Sequence, residues 1–512
     1  MASAARTEQQ RSTAIERLDM LIIGAGMSGI GAAWYLEHRL PGKTYAILEN
    51  RESTGGTWDL FRYPGIRSDS DLHTYSYAFK PWTDEKSIAE GPAILNYIRE
   101  TASENGIDQH IRLGHRVVRA SWSSAQALWT VEAQCNDTGE TVVFECSWLF
   151  GAAGYYRYEQ GYMPDFEGVE RFRGQLIHPQ HWPADLDYSG KRVVVIGSGA
   201  TAVTLVPAMT ERAAHVTMLQ RSPSYVVSLP EKDPIANLLQ RVLPADRAYS
   251  VTRRKNVWMQ RTFYELSQRR PGLVKWLLRK GLERSLPAGY DIDTHFTPEY
   301  GPWDQRLCAV PDGDLFAAIS SGRASVVTDR TSTFTERGIM LESGAELEAD
   351  VVITATGLDL QVLGGVELSV DGELVALPDQ LIYKSAMISN LPNMAFVFGY
   401  TNASWTLKVD LVCDYICKLI AMMDRGGYAS CVPVNTDPGM PTRPMLDFGA
   451  GYVQRAVDRF PRQGTGAWEV KMSYREDLKR LRHGPLADGV LRFSMCPNPR
   501  GMENCTDIVS SR

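Results

Sequence analysis

Short apolar runs that stop at glycine recur along the chain, and two of them open the same pattern. The run 19–23 ends before Gly24 and is followed by helical spacing of apolar residues over 30–36. The run 192–196 ends before Gly197 and starts a second unit of this kind. A strand, a tight turn and a helix in this order begin many parallel sheets. The pattern therefore predicts an α/β protein that uses this unit twice.

Both turns have the glycine spacing of a dinucleotide-binding site. The first reads Gly-Ala-Gly-Met-Ser-Gly over 24–29, and the second reads Gly-Ser-Gly-Ala-Thr-Ala over 197–202. In such a turn the first glycine permits the bend, the second lets the backbone approach a pyrophosphate, and the third lets the helix pack on the strand. The diphosphate then meets the helix N-terminus. We therefore predict two Rossmann-like dinucleotide-binding domains.

The first site ends in a carboxylate. The apolar run 45–48 stops at Glu49, about 25 residues after the first glycine, where an acid accepts hydrogen bonds from a ribose that has no 2′-phosphate. The loop 55–69 mixes glycine, aromatic and charged residues, which favours contact with the same cofactor over an ordinary surface loop. We assign the site to FAD, with the expected contacts Gly24, Gly26, Ser28, Gly29, Glu49, Thr57, Trp58, Asp59, Leu60, Asp69 and Val117.

The second site ends in a cation instead. The strand pattern 215–219 is followed by Gln220, Arg221 and Ser222, again about 25 residues after the first glycine. An arginine and a hydroxyl can bind a 2′-phosphate that a carboxylate would repel, so this site should prefer NADP(H). The alternative is that Arg221 is a solvated surface residue. The expected contacts are Gly197, Ser198, Gly199, Ala200, Thr201, Ala202, Val203, Arg221 and Ser222.

The order of these patterns predicts how the chain is divided into domains. We expect a flexible leader over 1–18, an FAD-binding domain over 19–165 and 381–512, an NADP-binding domain over 166–229 and 302–380, and a helical insertion over 230–301. In the last third, an apolar strand that starts near 392 runs through Gly399 into a helix. We assign this join to the flavin side of the first domain, with a purely structural join as the alternative.

The insertion alternates basic residues with Leu, Val and Trp at roughly helical spacing. Two interpretations are open: a solvated helix face, or a basic amphipathic surface that touches a membrane or a partner. The basic residues are Arg253, Arg254, Lys255, Arg261, Arg269, Arg270, Lys275, Arg279, Lys280 and Arg284.

Composition narrows the classes of protein to which the chain can belong. The 512 residues are 44% hydrophobic and 22% charged, as in globular proteins, and their number predicts two or three domains. The net charge of -6 gives no general reason to expect nucleic acid or an acidic membrane as a partner. Eight cysteines without a CxxC pair or zinc spacing fit a reducing compartment and no metal. No run approaches the roughly 18 to 20 apolar residues of a membrane span, and the polar N-terminus resembles no signal peptide, so a cytoplasmic location is expected.

A flavin site beside an NADP(H) site implies hydride transfer from nicotinamide to flavin, and the electrons then need an acceptor. Disulfide reductases of this plan use a cysteine pair near the flavin, but Cys135 is the first cysteine of the chain. No zinc cluster and no serine nucleophile elbow are visible either. Oxygen is the remaining common acceptor, which favours a monooxygenase.

The connector between the two sites carries a more specific motif. Its residues Phe172, Gly174, His178, Trp182 and Pro183 have the spacing F-x-G-x-x-x-H-x-x-x-W-P, which resembles the fingerprint of the Baeyer–Villiger monooxygenases, the class B flavoprotein monooxygenases. The loop 55–69 resembles a second fingerprint of that family, and Ala-Thr-Gly at 355–357 resembles its linker motif. The runs 178–183, 303–308 and 400–406 are most similar to the ethionamide-activating branch. The resemblance extends from about 19 to about 501.

The resemblance implies a sequential reaction. NADPH would reduce FAD, oxygen would add at flavin C4a, and the flavin peroxide would attack a ketone to give an ester or lactone, with sulfoxidation as a possible side activity. Arg306 matches the arginine that stabilises the negative charge of this step, and Asp69 matches the acid that holds that arginine. His178 and Trp182 match linker residues that couple domain movement to turnover.

The resemblance also bears on the nicotinamide nucleotide. Arg67, Ser68 and Asp69 match positions that make further NADP contacts in this branch. Many relatives have lysine just before the catalytic arginine, whereas this chain has Gln305. Arg221 is therefore expected to carry more of the preference for NADP, and discrimination against NAD to be looser.

Two rival functions stay open. A flavin monooxygenase that oxygenates nitrogen or sulfur shares the two-site plan, but its connector generally lacks the Trp-Pro pair found at 182–183. A redox sensor that consumes NADPH without oxygenation would not need Arg306 with Asp69. The expected partners are O2 and a small apolar ketone, which can be linear, cyclic or arylalkyl, and the oligomeric state is undetermined.

Overall fold

The structure is built from a larger mixed sheet, a smaller parallel sheet and a set of helices that cover them. The computed structural model describes residues 15–305, 307–446 and 449–495. Its strands are β1 (Glu16–Ile23), β2 (Tyr45–Leu48), β3 (Ile111–Arg112), β4 (His115–Ser123), β5 (Leu128–Cys135), β6 (Thr141–Gly151), β7 (Tyr156–Gly161), β8 (Gln175–Ile177), β9 (Arg192–Ile196), β10 (His215–Gln220), β11 (Val226–Leu229), β12 (Cys308–Pro311), β13 (Ala324–Thr328), β14 (Thr331–Phe334), β15 (Gly338–Leu341), β16 (Glu346–Glu348), β17 (Val351–Thr354), β18 (Leu358–Leu360), β19 (Glu367–Val370), β20 (Glu373–Leu374), β21 (Ile382–Tyr383), β22 (Met387–Ile388), β23 (Met394–Phe396), β24 (Tyr428–Pro433), β25 (Arg443–Pro444), β26 (Arg462–Gln463) and β27 (Leu491–Met495).

The α-helices are α1 (Met27–Arg39), α2 (Thr57–Leu60), α3 (Leu72–Tyr75), α4 (Gly91–Glu104), α5 (Ala200–Met209), α6 (Pro234–Val242), α7 (Ala245–Arg269), α8 (Pro271–Ser285), α9 (Ile292–Phe296), α10 (Asp314–Ser320), α11 (Thr406–Gly426), α12 (Gly451–Gln454) and α13 (Tyr474–Asp477).

The larger sheet holds the first glycine turn. Its order is β20-β19-β4-β5-β6-β1-β2-β3, and β23 pairs in parallel with the last residues of β6. β1 pairs in parallel with β2 and β6, so all three strands deliver their carboxyl ends to one edge. Side chains of β1 alternate between two apolar layers: Met20 and Ile22 pack towards α1 and α11, and Leu21 and Ile23 pack towards β4 to β6. This alternation explains why the whole strand is apolar.

The smaller sheet holds the second glycine turn. Its five strands are all parallel, in the order β13-β10-β9-β17-β8. Val193 and Val195 of β9 pack against α5 and α10, whereas Val194 faces the hairpin of β14 to β16. A sheet buried on both faces needs such a continuous Val and Ile run.

Two segments join the sheets, and they pair where they cross. β7 runs towards the smaller sheet and β18 runs back, as an antiparallel pair. The carbonyl oxygen of Gly357 accepts the N–H of Tyr162 at 3.1 Å and lies 3.2 Å from Nε2 of His178. Nδ1 of His178 accepts the N–H of Gln180 at 3.2 Å, which leaves the proton on Nε2 for Gly357. Burial lowers the pKa of His178, which agrees with this neutral form.

The helical insertion is attached through the inner face of α7. Arg253 donates to the backbone oxygens of His73, Thr74 and Ser76 and to the carboxylate of Asp410 at 2.9 Å. Four hydrogen bonds to groups of the first domain fix this buried guanidinium. The insertion is therefore seated firmly on the first domain.

Two boundaries differ from the expectation. β1 begins at Glu16, inside the expected leader, because its pairing with β6 already starts there. The chain is back in the first sheet at Glu367, before 381, because β19 pairs in parallel with β4. The connector between the two glycine turns contains the edge strand β8, which is paired on one side only, so that the proline that follows it breaks no ladder.

None of the helices within the described ranges is long and apolar enough to cross a membrane. The cytoplasmic location expected from the sequence stays a prediction.

Replacing Gly161 with alanine should weaken the crossing of the two joining segments. A Cβ there would lie 1.9 Å from Cε1 of His178, so the imidazole would have to leave Gly357. We expect a loss of about 1–3 kcal/mol in stability, measured as a lower apparent melting temperature. The control is Gly281→Ala in the middle of α8, where a Cβ meets nothing within 4 Å and should leave stability equal or slightly higher. Equal melting temperatures for both variants would contradict this role of Gly161.

Candidate active site

One cavity contains both glycine turns. Its volume is about 930 Å³, and it lies where the carboxyl ends of β1 and β9 leave the two sheets. Gly24 and Gly26 line one part of it, and Gly197 and Gly199 line another. In parallel α/β sheets this edge is where ligands bind. The two sites predicted from the sequence therefore open into the same space.

Glu49 is placed to bind a ribose. Its Oε2 accepts the N–H of Ala25 at 2.7 Å and its Oε1 accepts the N–H of Arg51 at 3.0 Å, which fixes the carboxylate at the end of β2. Burial raises the pKa of Glu49, and the two backbone N–H groups oppose that shift. Each oxygen keeps a lone pair for a further donor. Glu49 and Val117 both line the cavity, as expected for contacts to FAD.

The first turn of α1 faces the cavity without a cap. Gly26 is the N-cap, no side chain caps it, and Gly26 and Ser28 line the cavity. Gly29 lies beneath the turn: a Cβ there would be 1.9 Å from the carbonyl oxygen of Gly24. Gly29 thus has the packing role that the motif assigns to its third glycine.

Only half of the predicted contacts on α2 reach the cavity. Thr57 and Trp58 line it, whereas Asp59 and Leu60 do not. Successive side chains of a helical turn point in different directions, so one turn cannot present all four to one ligand. Leu60 instead packs into the apolar cluster around α5.

Asp59 is the centre of an ion cluster. Its carboxylate lies 2.6 Å from Arg51, 3.1 Å from Arg62 and 3.0 Å from Arg99. Burial alone would raise the pKa of Asp59, but hydrogen bonds from Arg51 and Ser53 and the nearby positive charges hold it below its usual value. Asp59 therefore holds the loop that carries Thr57 and Trp58.

The second turn repeats the geometry of the first. Gly199 is the N-cap of α5 and no side chain caps the helix. Gly197, Ser198, Ala200 and Thr201 line the cavity with it. The predicted contacts Ala202 and Val203 do not: both are buried against β9, since they lie on the opposite side of α5.

Two arginines lie near the end of β10. Arg221 and Ser222 line the cavity, and the backbone oxygen of Ser222 accepts Oγ–H of Ser198 at 3.1 Å. Arg455, which no sequence pattern indicated, lines the same cavity and lies 3.4 Å above the ring of Tyr162. Burial lowers the pKa of Arg455, and the charge of Arg221 adds to that shift. Two guanidinium groups this close favour an anion.

The loop residues 67–69 also line the cavity. Arg67 forms an ion pair with Asp314 at 2.5 Å, so its charge is already balanced. Ser68 is buried, with Oγ–H donated to the backbone oxygen of Ser70 at 2.9 Å. Oγ of Ser70 lies 3.5 Å from Oδ1 of Asp69. Arg306, the expected catalytic arginine, lies outside the described residues, whereas Gln305 and Cys308 line the cavity.

Aromatic residues that follow β6 form a wall of the cavity. Tyr155, Tyr156, Tyr158 and Tyr162 all line it. The ring of Tyr155 stacks on Trp405 at 5.4 Å between centroids, and Trp405 donates its indole N–H to Ser28 at 2.8 Å. These tyrosines were not among the residues expected from the sequence, although their position just after the small residues 151–154 could have indicated them.

The fingerprint residues of the connector lie outside the cavity. Phe172 packs edge-on against Phe334, and Gly174 leaves room for that ring. His178 binds Gly357, and Trp182, which precedes Pro183, packs against the core of the second domain. Of these contacts, only that of His178 reaches the other segment that joins the sheets, and the linker role stays a prediction.

The residues present fit two dinucleotides. Two uncapped helix N-termini without acidic residues in their first turns face one cavity, and this arrangement suits two diphosphates. A Cβ on Gly199 would meet nothing within 4 Å, so the space in front of it is open. Glu49 would hold the ribose of FAD, and Arg221 and Ser222 would hold the phosphate of NADP(H).

Replacing the middle glycine of each turn with alanine should impair one dinucleotide site at a time. A Cβ on Gly26 or Gly199 fits the protein but occupies the approach of a diphosphate, at a cost of about 1–3 kcal/mol. We expect Gly26→Ala to lower the FAD content of the purified protein. We expect Gly199→Ala to keep FAD but to raise KM for NADPH about tenfold. Gly272→Ala on the exposed side of α8 is the control. Full FAD content in the first variant together with an unchanged KM in the second would contradict the assignment.

The two arginines should determine the choice of nicotinamide nucleotide. A charged hydrogen bond contributes about 1.5–3 kcal/mol, so Arg221→Gln should lower kcat/KM for NADPH by about tenfold or more. Arg455→Gln should lower it less, and neither variant should lower kcat/KM for NADH. Arg459→Gln is the control, since Arg459 pairs with Asp359 and does not line the cavity. An equal loss of kcat/KM with NADH would show that the arginines do not bind the 2′-phosphate.

Comparison with known proteins shows the family of the chain. A family model described as flavin-binding monooxygenase-like matches residues 77–363, and one described as an NAD(P)-binding Rossmann-like domain matches residues 22–84. The FAD-containing monooxygenase EthA of Mycobacterium tuberculosis (strain ATCC 25618 / H37Rv) is 51% identical over 489 residues, which cover 95% of this chain and 100% of EthA.

Solved structures share the fold. OTEMO in complex with FAD and NADP has a TM-score of 0.73 at 20% identity, over 93% of this chain and 99% of that one. Cyclohexanone-bound cyclohexanone monooxygenase has a TM-score of 0.67 at 22% identity, over 82% and 89%. The expected α/β fold with two dinucleotide-binding domains is thus confirmed, as are the expected cofactors FAD and NADP. The chain belongs to the flavin-binding monooxygenase-like family, as an NADPH-dependent flavoprotein monooxygenase with the EthA-type FAD-containing monooxygenases among its close homologues.

Proposed function

We propose that this enzyme is a Baeyer–Villiger monooxygenase. It inserts one atom of O2 next to the carbonyl of a small apolar ketone and gives an ester or lactone. NADPH supplies the two electrons, and the second oxygen atom leaves as water. When bound, FAD accepts the hydride from NADPH and activates O2.

The observation that carries the proposal is the set of residues that line this cavity. Asp69 lines it together with both glycine turns, and so do Gln305 and Cys308, the nearest cavity-lining residues before and after Arg306 in sequence. A redox sensor does not need an acid and an arginine beside its flavin. An enzyme that oxygenates a carbonyl does, because negative charge develops on the carbonyl oxygen.

Arg306 supplies the positive charge in this proposal. Its guanidinium stabilises the negative charge of the reacting oxygen atoms, and Asp69 keeps the guanidinium oriented. The requirement for a cation distinguishes carbonyl oxygenation from attack on a soft sulfur or nitrogen atom. The connector motif that ends in Trp182 and Pro183 supports the same assignment, since it resembles the Baeyer–Villiger fingerprint.

The cavity walls support an apolar substrate. The cavity is lined by the aromatic side chains of Phe61, Tyr63, Tyr155 and Tyr156. The rings of Phe61 and Tyr156 pack edge-on, with 6.4 Å between their centroids. Burial raises the pKa of Tyr63 to about 12, so this phenol is neutral at physiological pH. Such walls exclude water and accept a hydrocarbon skeleton. The cyclohexanone found in a neighbour of the same fold supports a ketone as substrate class.

The test separates flavin reduction from oxygenation. Arg306→Ala should leave anaerobic reduction of FAD by NADPH largely intact and abolish ester formation, because reduction does not need the added charge. Asp69→Asn should lower ester formation by about tenfold or more, since a charged hydrogen bond contributes about 1.5–3 kcal/mol. Products from linear, cyclic and arylalkyl ketones and from one thioether are identified by mass spectrometry, with NADPH and hydrogen peroxide followed in parallel.

Each alternative has its own outcome. Undiminished ester formation by Arg306→Ala would remove the arginine from the proposal. Sulfoxide from the thioether without ester from any ketone would favour a sulfur- or nitrogen-oxygenating enzyme. If NADPH oxidation yields only hydrogen peroxide, whatever ketone is present, the result would favour an uncoupled oxidase or a redox sensor.

A further inference from the structure

Exposed large apolar side chains are concentrated on the helical insertion. Of the sixteen found in the described part of the chain, nine lie on α6, α7 and α8, which hold about a tenth of the residues. Trp258 is 63% exposed and Trp276 is 54% exposed, although tryptophan is usually among the more buried residues. We call these nine residues the outer helical surface: Ile235, Leu238, Val242, Val251, Trp258, Met259, Leu273, Trp276 and Leu277.

The exposed side chains follow the helical repeat. Ile235, Leu238 and Val242 are spaced three and four residues apart and so share one face of α6. Leu273, Trp276 and Leu277 share one face of α8 in the same way. Chance exposure would not follow this spacing. α6 packs on α7 and α7 packs on α8, so the stripes belong to one helical layer.

Positive charge is interleaved with these stripes. The range 234–285 contains twelve Lys and Arg against three Asp and Glu, whereas the whole chain has a net charge of -6. The three helices α6 to α8 therefore carry nine net positive charges in a protein whose other residues are strongly acidic in sum. Arg247, Arg254, Arg270 and Arg284 are exposed and form no ion pair with the residues that the structure describes.

The opposite face of the insertion is already occupied. Arg253 is bound to Asp410, Tyr249 donates to the backbone oxygen of Tyr77 at 2.7 Å, and Asn256 donates to Asp71 at 2.9 Å. These contacts fix α7 on the first domain. The outer helical surface is therefore exposed because of its place in a fixed layer, not because the insertion is loosely attached.

We propose that the outer helical surface docks on an anionic lipid bilayer. Helices that lie in a membrane interface combine Trp and Leu with Lys and Arg in this way: the apolar side chains enter the acyl boundary and the cations bind anionic headgroups. Exposed tryptophan at the rim of an apolar face is typical of the interface. α6 and α8 are too short to cross a bilayer, and docking needs no crossing.

A second copy of the chain fits this surface less well. A two-fold pairing brings the same patch of both copies together, and here it would face nine net positive charges with nine more. Charge complementarity instead requires an acidic partner. The proposal is independent of the reaction catalysed, because none of the residues of the outer helical surface lines the cavity.

Vesicle flotation with the full-length, FAD-loaded protein tests the proposal. Binding should be strong to vesicles of phosphatidylcholine mixed with phosphatidylglycerol, weak to phosphatidylcholine alone, and reduced by added salt. The double variant Trp258→Ser and Trp276→Ser should lower the partition coefficient by about tenfold or more. The double variant Arg254→Gln and Arg270→Gln should lower it about five-fold per charge.

Matched controls lie elsewhere on the surface. Met163→Ser with Leu374→Ser removes two exposed apolar side chains, and Arg425→Gln with Arg492→Gln removes two exposed charges, all outside the insertion. Both controls should bind the acidic vesicles as the parent protein does. All variants should keep their FAD and their rate of NADPH oxidation.

Three results would overturn the proposal. One is the absence of binding to acidic vesicles, and another is equal loss of binding in the control variants. The third combines vesicle binding with sedimentation velocity measured without lipid. A dimeric parent protein, a monomeric tryptophan variant and no vesicle binding by either would show that a second copy covers the surface. Equal binding to neutral and acidic vesicles would overturn the requirement for anionic lipid.

Discussion

The carbonyl oxygen of Gly357 holds the two halves of this enzyme in register. It accepts the N–H of Tyr162 at 3.1 Å and the Nε2–H of His178, while Oγ1 of Thr356 donates to the backbone oxygen of Tyr162 at 2.6 Å. Both segments that join the sheets pass through this point. Their pairing directs the carboxyl edges of both sheets to one cavity. Together with the contacts of Arg253 to the first domain and the ion pair of Arg67 with Asp314, this pairing fixes the relation of the two glycine turns, and hydride transfer needs that relation.

This dependence explains why the connector motif lies outside the cavity. His178 is the only residue of the motif whose side chain binds the other joining segment among those that the structure describes. Burial keeps the imidazole neutral, and a neutral imidazole can accept at Nδ1 and donate at Nε2 at the same time. A charged imidazole could only donate. The motif therefore serves the geometry between domains rather than contact with a reacting atom.

Sequence patterns within single strand-turn-helix units predicted the positions of the residues that those units carry. Both glycine turns, Glu49 at the end of β2 and Arg221 after β10 lie where their spacing in sequence required, because strand, turn and helix form one continuous unit. The catalytic pair of Asp69 and Arg306 came from resemblance to a family, and stays a prediction.

Contacts between distant segments could not be predicted. Arg455 reaches the cavity from a segment more than 230 residues after Arg221, and no spacing rule connects them. Asp59 was expected to contact FAD, but Arg51, Arg62 and Arg99 surround it instead, and only the folded chain brings Arg99 there. β19 joined the first sheet earlier than expected because parallel pairing with a distant strand leaves no local signal.

The first sheet is assembled from both ends of the chain, and this has a consequence for its synthesis. β6 lies between β1 and β23, and α1 packs against α11, which begins only at Thr406. The smaller sheet, by contrast, is complete once β17 has been made. During translation the second domain can therefore fold while the first still lacks part of its sheet and the helix that covers it. The chain must be synthesised at least through α11 before the first domain is complete, so the domain that begins first is the last to finish folding.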